Sequence, residues 1–124
     1  MTGPEPVAQV LADARALAAD AAGATGVRWK LAESGRQLDA NLVHLAPGEH
    51  IATHAEPDLD VLVLVVSGGG LLATAEPGEP HTLAEGSLVW LPHGSTRSIT
   101  AGDTGLDYLT VHRRRPGMQI RPSR

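Results

Sequence analysis

Apolar positions along the chain follow two different periods. Val7, Val10, Leu11, Ala14, Leu17, Ala18 and Ala21 recur at i, i+3, i+4, i+7, i+10, i+11 and i+14, which aligns them in one stripe of an α-helix about four turns long. Pro6 suits the first turn of such a helix and Gly23 its stop. The stripe is narrow and built of small residues, so it predicts a helix laid on a sheet or on a partner. Beyond the loop at 23–26 the period changes to two. Val27–Leu31 alternates apolar and polar residues, and Gln37–Leu45 reads as a second strand ended by Pro47-Gly48. Further strands are expected at 51–54, 61–66, 71–74, 81–83, 88–91, 97–100 and 106–112, nearly all separated by Gly or Pro. Many short strands at near-regular spacing predict a sandwich or barrel. Gly68-Gly69-Gly70 follows a strand but opens no helix, so it reads as a hairpin turn rather than a phosphate loop. The organisation expected is all-β with one N-terminal α-helix: helix and linker over 1–26, then a β-barrel with a basic tail over 27–124.

Composition narrows the function classes. At 124 residues the chain makes one domain with a sizeable core. There is no Cys, hence no disulfide framework and no thiolate metal site, which suits a reducing cytoplasm. The longest apolar run, Val61–Val66, is too short to span a bilayer, and no signal-type segment is seen at the start. With no Phe, one Tyr and two Trp the core must be aliphatic, and stacking platforms for single-stranded nucleic acid are not expected. Net charge is −4, but five of the ten basic residues (Arg113, Arg114, Arg115, Arg121 and Arg124) lie in the last twelve positions. The remainder is strongly acidic and would repel nucleic acid, so the tail reads as a solvated segment pairing with acidic surface.

The chemistry-bearing residues lie in two strand–turn units. Gly48 is followed after five residues by His54, then by Glu56, Asp58 and Asp60; Gly86 is followed after five residues by Pro92, then Gly94 and Arg97. This Gly/Pro framework resembles the two motifs of the cupin superfamily over roughly residues 38–112. The resemblance implies a jelly-roll β-barrel whose inner face is the site, and often a homodimer. Cupins that bind a divalent metal (Fe, Mn, Ni or Zn) typically use three His and one Glu, and many are oxygenases, isomerases or epimerases. Here only His54 matches that set. Glu56 stands at the second His position, Val61 at the Glu position with Asp60 one residue early, and Arg97 at the third His position.

Arg97 cannot ligate a metal, because its guanidinium offers no lone pair and stays protonated. Neutral His54, Glu56, Asp60 and Arg97 together carry −1 without any metal, and zero once His54 is protonated. Three readings stay open. Arg97 pairs with Asp60 or Glu56 in place of a metal; or it clamps a carboxylate or phosphate of a small ligand; or His54, Glu56 and Asp60 hold a metal as a reduced ligand set. Whether Asp60 or Val61 faces inward decides much, since a one-residue shift exchanges the faces. Tyr108, Thr110 and His112 share one strand face and are candidates for lining the mouth. His44 reads as a satisfied buried or edge residue, and His50, His81 and His93 as solvated. The favoured function is a small-molecule-binding cupin without the usual metal centre, its ligand contacting His54, Glu56, Asp60, Arg97, Tyr108 and His112. The alternative is an enzyme, metal-dependent or metal-free, with His54 as acid/base.

Overall fold

A computed structural model describes residues 6–20 and 23–115. Its elements, in chain order, are α1 (Ala14–Asp20), β1 (Gly26–Lys30), β2 (Leu38–Leu45), β3 (His50–Ala55), β4 (Val61–Thr74), β5 (His81–Ala84), β6 (Leu88–Leu91) and β7 (Thr96–Arg113). All pairings are antiparallel, with the path β1-β2-β7-β4-β5, β3 added on β7 and β6 on β4.

β4 and β7 are long because each passes through both walls of the barrel. The first half of β4 pairs with β6 and with the second half of β7, which also carries β2. The second half of β4 pairs with β5 and with the first half of β7, which carries β3. Between the halves, the β4–β7 register shifts at Val65/Ser67 and again at Gly68/Gly70. The triple glycine is therefore not the hairpin turn its sequence suggests. It is a crease inside a continuous strand, facing Ala101–Leu106 of β7. A Cβ on Gly68 would fall within the Gly105 carbonyl, and one on Gly70 within that of Thr100. Only glycine permits so close a backbone approach, and Gly68 also takes φ +77. The expected strands at 97–100 and 106–112 are likewise halves of one bent strand, β7.

The walls face each other across an aliphatic core. Val61, Val63 and Val65 of one wall join Leu72, Leu83 and Ile99 of the other, with Leu45, Leu91, Ala101, Leu106 and Tyr108. Leu45 and Leu106 are 0 % exposed, and full burial of such a side chain contributes roughly 1.5–3 kcal/mol. His44 and Asp107, cross-strand partners on β2 and β7, are both buried and joined by a 2.8 Å bond from Nδ1 to Oδ1.

The helix is shorter than its periodicity predicts. It begins at Ala14 because Asp13 caps it: the Asp13 carboxylate accepts the N–H groups of Arg15 and Ala16 at 3.0 and 3.1 Å. Ala14, Leu17 and Ala18 pack on Leu42, Val66, Trp29 and Leu109, on the outside of the first wall. Val7 and Val10, expected on the same stripe, are 73 % and 95 % exposed and outside the helix. With no surface to bury them, period alone did not hold those turns. Ala21, the last position of the expected stripe, lies outside the described residues, as do Arg121 and Arg124 of the tail.

Candidate functional site

Opposite the crease, the strand ends form the mouth of the barrel. On one wall His54, Arg97 and Thr74 are cross-strand partners on β3, β7 and β4, so their side chains share a face. The row beneath is Ile51, Ile99 and Leu72, entirely aliphatic. Arg97 is 5 % exposed, and its Nη1 donates to the Ser95 carbonyl at 3.2 Å. Burial pulls the guanidinium pKa below its usual value, opposed by the charge of Glu56. His54 is exposed, its Nδ1 2.9 Å from the Ala52 carbonyl. On the other wall Tyr108 and Thr110 pair with Val65 and Val63, and so point inward with His112 two positions on. Tyr108 belongs to the core, and burial raises its hydroxyl pKa. His112 is half-buried, its Nδ1 donating to the Arg113 carbonyl at 2.7 Å.

The two carboxylates discussed with Arg97 do not converge. Asp60 points outward, because Val61 takes the inward position and is 6 % exposed. Its carboxylate accepts the His93 backbone N–H at 2.8 Å and lies 2.7 Å from His93 Nδ1. These bonds, the backbone one foremost, hold it below the usual carboxylate range. His93, expected to be merely solvated, is thus exposed but bonded. Glu56 lies just past the end of β3, where its Oε1 accepts the Asp58 N–H at 3.0 Å and its Oε2 pairs with Arg115 at 2.8 Å. The Asp58 N–H is the main reason its pKa is lowered, with Arg115 next and the charge of Arg97 a smaller contribution. Among the described residues the direct Arg97–Glu56 or Arg97–Asp60 ion pair is not formed; Arg115 takes the Glu56 carboxylate instead.

Arg115 also anchors the segment after β7: its N–H donates to Asp39 at 3.2 Å, and Asp39 in turn pairs with Arg36 at 3.0 Å. The Arg115 N–H is the largest cause of the lowered Asp39 pKa. Sequence reasoning missed Arg115, Asp39 and Arg36 as parts of the mouth. The only signal was the excess of arginine at the end of the chain, which gives charge but not address.

The fit of these residues to a metal is poor. Among the described residues no three His, Asp or Glu side chains gather in a group able to hold one. His54 would have as companions a carboxylate already bonded to Arg115, an outward Asp60, and a guanidinium that repels a cation.

No protein-family profile matches the sequence, and no curated protein matches it either. Solved structures do match. An uncharacterised protein with a double-stranded β-helix domain from Klebsiella pneumoniae superposes with a TM-score of 0.67 at 17% identity, over 86% of this chain and 90% of that one. A cupin protein from Bacteroides fragilis gives 0.57 at 17%, over 70% and 74%. A sugar phosphate isomerase of the cupin superfamily from Silicibacter pomeroyi gives 0.58 at 25%, over 65% of this chain and 53% of that one. The chain has the cupin fold.

In this fold a cavity of about 640 Å³ opens between the edge strands β5 and β6. Core residues Leu72, Leu83 and Leu91 line its floor with Val89, and Thr74, Ser95 and Thr96 close the end toward the mouth. Arg97 does not line it, but stands one residue behind that end, flanked by its partner Thr74 and bonded to Ser95. No helix among the described residues is long and apolar enough to cross a membrane.

Proposed function

We propose that this cupin is a binding module for a small anionic molecule, held at the mouth by Arg97 without the usual metal centre. The observation that carries the reading is the state of Arg97. Its guanidinium has five N–H donors, belongs to a residue that is 5 % exposed, and makes one side-chain hydrogen bond among the described residues, to the Ser95 carbonyl. The nearby carboxylate that could neutralise it is already paired with Arg115. A desolvated positive charge without a direct counter-ion is costly, and a bound carboxylate or phosphate would relieve that cost through charge-assisted bonds. The sugar phosphate isomerase from Silicibacter pomeroyi is named for a substrate that is itself an anion. The lack of a coherent donor set among the described residues argues against the metal-dependent alternative.

The test is titration of the protein with acetate and with inorganic phosphate, followed by NMR of the Arg97 and Thr74 amides. Saturable shifts that vanish in a folded Arg97→Met variant are expected. A folded variant that binds either anion as the parent does would sink the reading. A homodimer in a cytoplasmic setting belongs to the same proposal. Leu62, Leu64, Leu88 and Trp90 stand exposed on the outer face of paired strands β4 and β6, supplying apolar surface suited to a second copy. Sedimentation of Leu62→Lys/Leu88→Lys against the parent checks it, and a monomeric parent would refute it.

A further inference from the structure

Independently of Arg97, we infer a second anion site, shaped for a phosphoryl group, at the β1 end of the sheet and away from the cleft beside β5 and β6. It is a cavity of about 250 Å³ whose polar lining is Lys30, Arg36, Asp39, Asn41, His112 and Arg115. Register brings these residues together. Lys30, the last residue of β1, is the cross-strand partner of Asn41, and Asp39 is that of His112. Asn41 stands two positions from Val43, which packs on the core, while Leu42 between them lies under α1. The polar row therefore faces the barrel interior. Arg36 reaches it from the loop before β2, and Arg115 from the segment after β7.

The lining has spare donors and a spent carboxylate. Asp39 Oδ1 accepts from Arg36 Nε at 3.0 Å, and its Oδ2 from the Arg115 N–H at 3.2 Å. Arg36 Nη1 is taken by the Glu33 carbonyl at 3.1 Å. Among the described residues the Lys30 ammonium, Arg36 Nη2 and the Asn41 amide have no such partner. His112 Nδ1 bonds to the Arg113 carbonyl, leaving Nε2 to the cavity, where it becomes a further donor once the ring is protonated. The charge agrees with this. Lys30, Arg36 and Arg115 are set against Asp39 and against Glu56, the partner of Arg115, an excess of one positive charge with His112 neutral. Glu33, exposed in the same loop, does not line the cavity. A phosphoryl group brings three strong acceptor oxygens and up to two negative charges. A carboxylate brings two oxygens and one charge, and would leave more of these donors unmatched. Lys30 supplies a mobile point charge and Arg36 a fixed edge, the two ways in which proteins hold phosphate.

The full chain is titrated with inorganic phosphate and with glycerol 3-phosphate, against sodium chloride of equal ionic strength, and followed by NMR. Saturable shifts are expected at the Lys30, Asn41 and His112 amides with either phosphate. Lys30→Ala, at an exposed position, should weaken them about tenfold, the worth of one charge-assisted bond, and Lys30→Glu should abolish them. Neither variant should alter acetate-induced shifts at Arg97 and Thr74, which report the other site. Tighter binding of glycerol 3-phosphate assigns the cavity to a phosphate ester, and equal binding to the phosphoryl group alone. If chloride produces the same shifts, or if Lys30→Glu leaves them unchanged, the site is overturned. If phosphate moves Arg97 and Thr74 but not Lys30, Asn41 and His112, this inference fails and the Arg97 reading stands. The reverse pattern leaves this site standing and sinks the other.

Discussion

The crease and the mouth of this barrel are built from the same two strands and held by different physics. At the crease, β4 and β7 approach so closely that Gly68 and Gly70 lie against opposing carbonyls, and Leu106 beside them is 0 % exposed. Sterics and apolar burial decide everything there. At the mouth, the strand ends diverge, Glu56 and Arg115 join segments that follow different walls, and Arg97 is buried without a direct counter-ion among the described residues. Charge and hydrogen bonding decide the arrangement. Two ends of one strand pair can thus carry separate tasks: one fixes the fold while the other is left free for chemistry.

The sharpest way to break this comparison is to place a side chain at each end. Gly68→Val should cost more than about 3 kcal/mol or prevent folding, since both φ and the opposing carbonyl forbid it. Gly94, at the mouth, has the same sign of φ (+80) but open space around its Cβ position, so Gly94→Ala should cost only backbone strain, about 1–2 kcal/mol. Urea unfolding of both variants measures the difference, and equal costs would erase the contrast. Leu106→Ala should cost about 2–5 kcal/mol through its cavity, more than Gly94→Ala, read from the same unfolding curves.

The mouth should respond to pH rather than to volume. Glu56, Asp39 and Asp60 all have lowered pKa values. Their folded-state bonds therefore add stability that is fully present above the unfolded carboxylate range and is lost as pH falls through the folded values. Acid should loosen the mouth while the crease persists, which amide exchange at Glu56 and at Gly70 distinguishes. The smallest effect is expected from Arg115→Ala. The Glu56 pKa should rise toward its ordinary value but not reach it, because the Asp58 N–H is the larger cause of the depression. Carboxyl NMR titration measures this, and an unchanged Glu56 would remove Arg115 from the mouth.

Much of the fold was legible because it rests on local rules. Strand periodicity and the Gly48, Gly86, Pro92 and Gly94 spacing placed the strands within a residue or two. The failures share a cause. Gly68–Gly70 reads as a turn because a glycine run looks the same whether a strand ends or bends; the partner strand, distant in sequence, makes the distinction. Val7 and Val10 have helical spacing but nothing to pack on. Asp60 and Val61 exchange faces according to the path of three preceding residues, which no alternation rule covers. At the mouth, Arg97, His54 and Tyr108 were singled out by motif or strand pattern, whereas Arg115, Asp39 and Arg36 act through tertiary pairing that one-dimensional patterns do not encode.

The crease has a mechanical consequence. A hinge needs slack, and two backbones in contact through glycine have none. The walls should therefore behave as a single stiff clip whose jaw angle is set when the chain folds. Adaptation to an occupant falls to the trim around the opening, the connections at 56–60 and 92–95, which lie outside both long strands. Specificity in such a clip is cut by the rim and not by the spring.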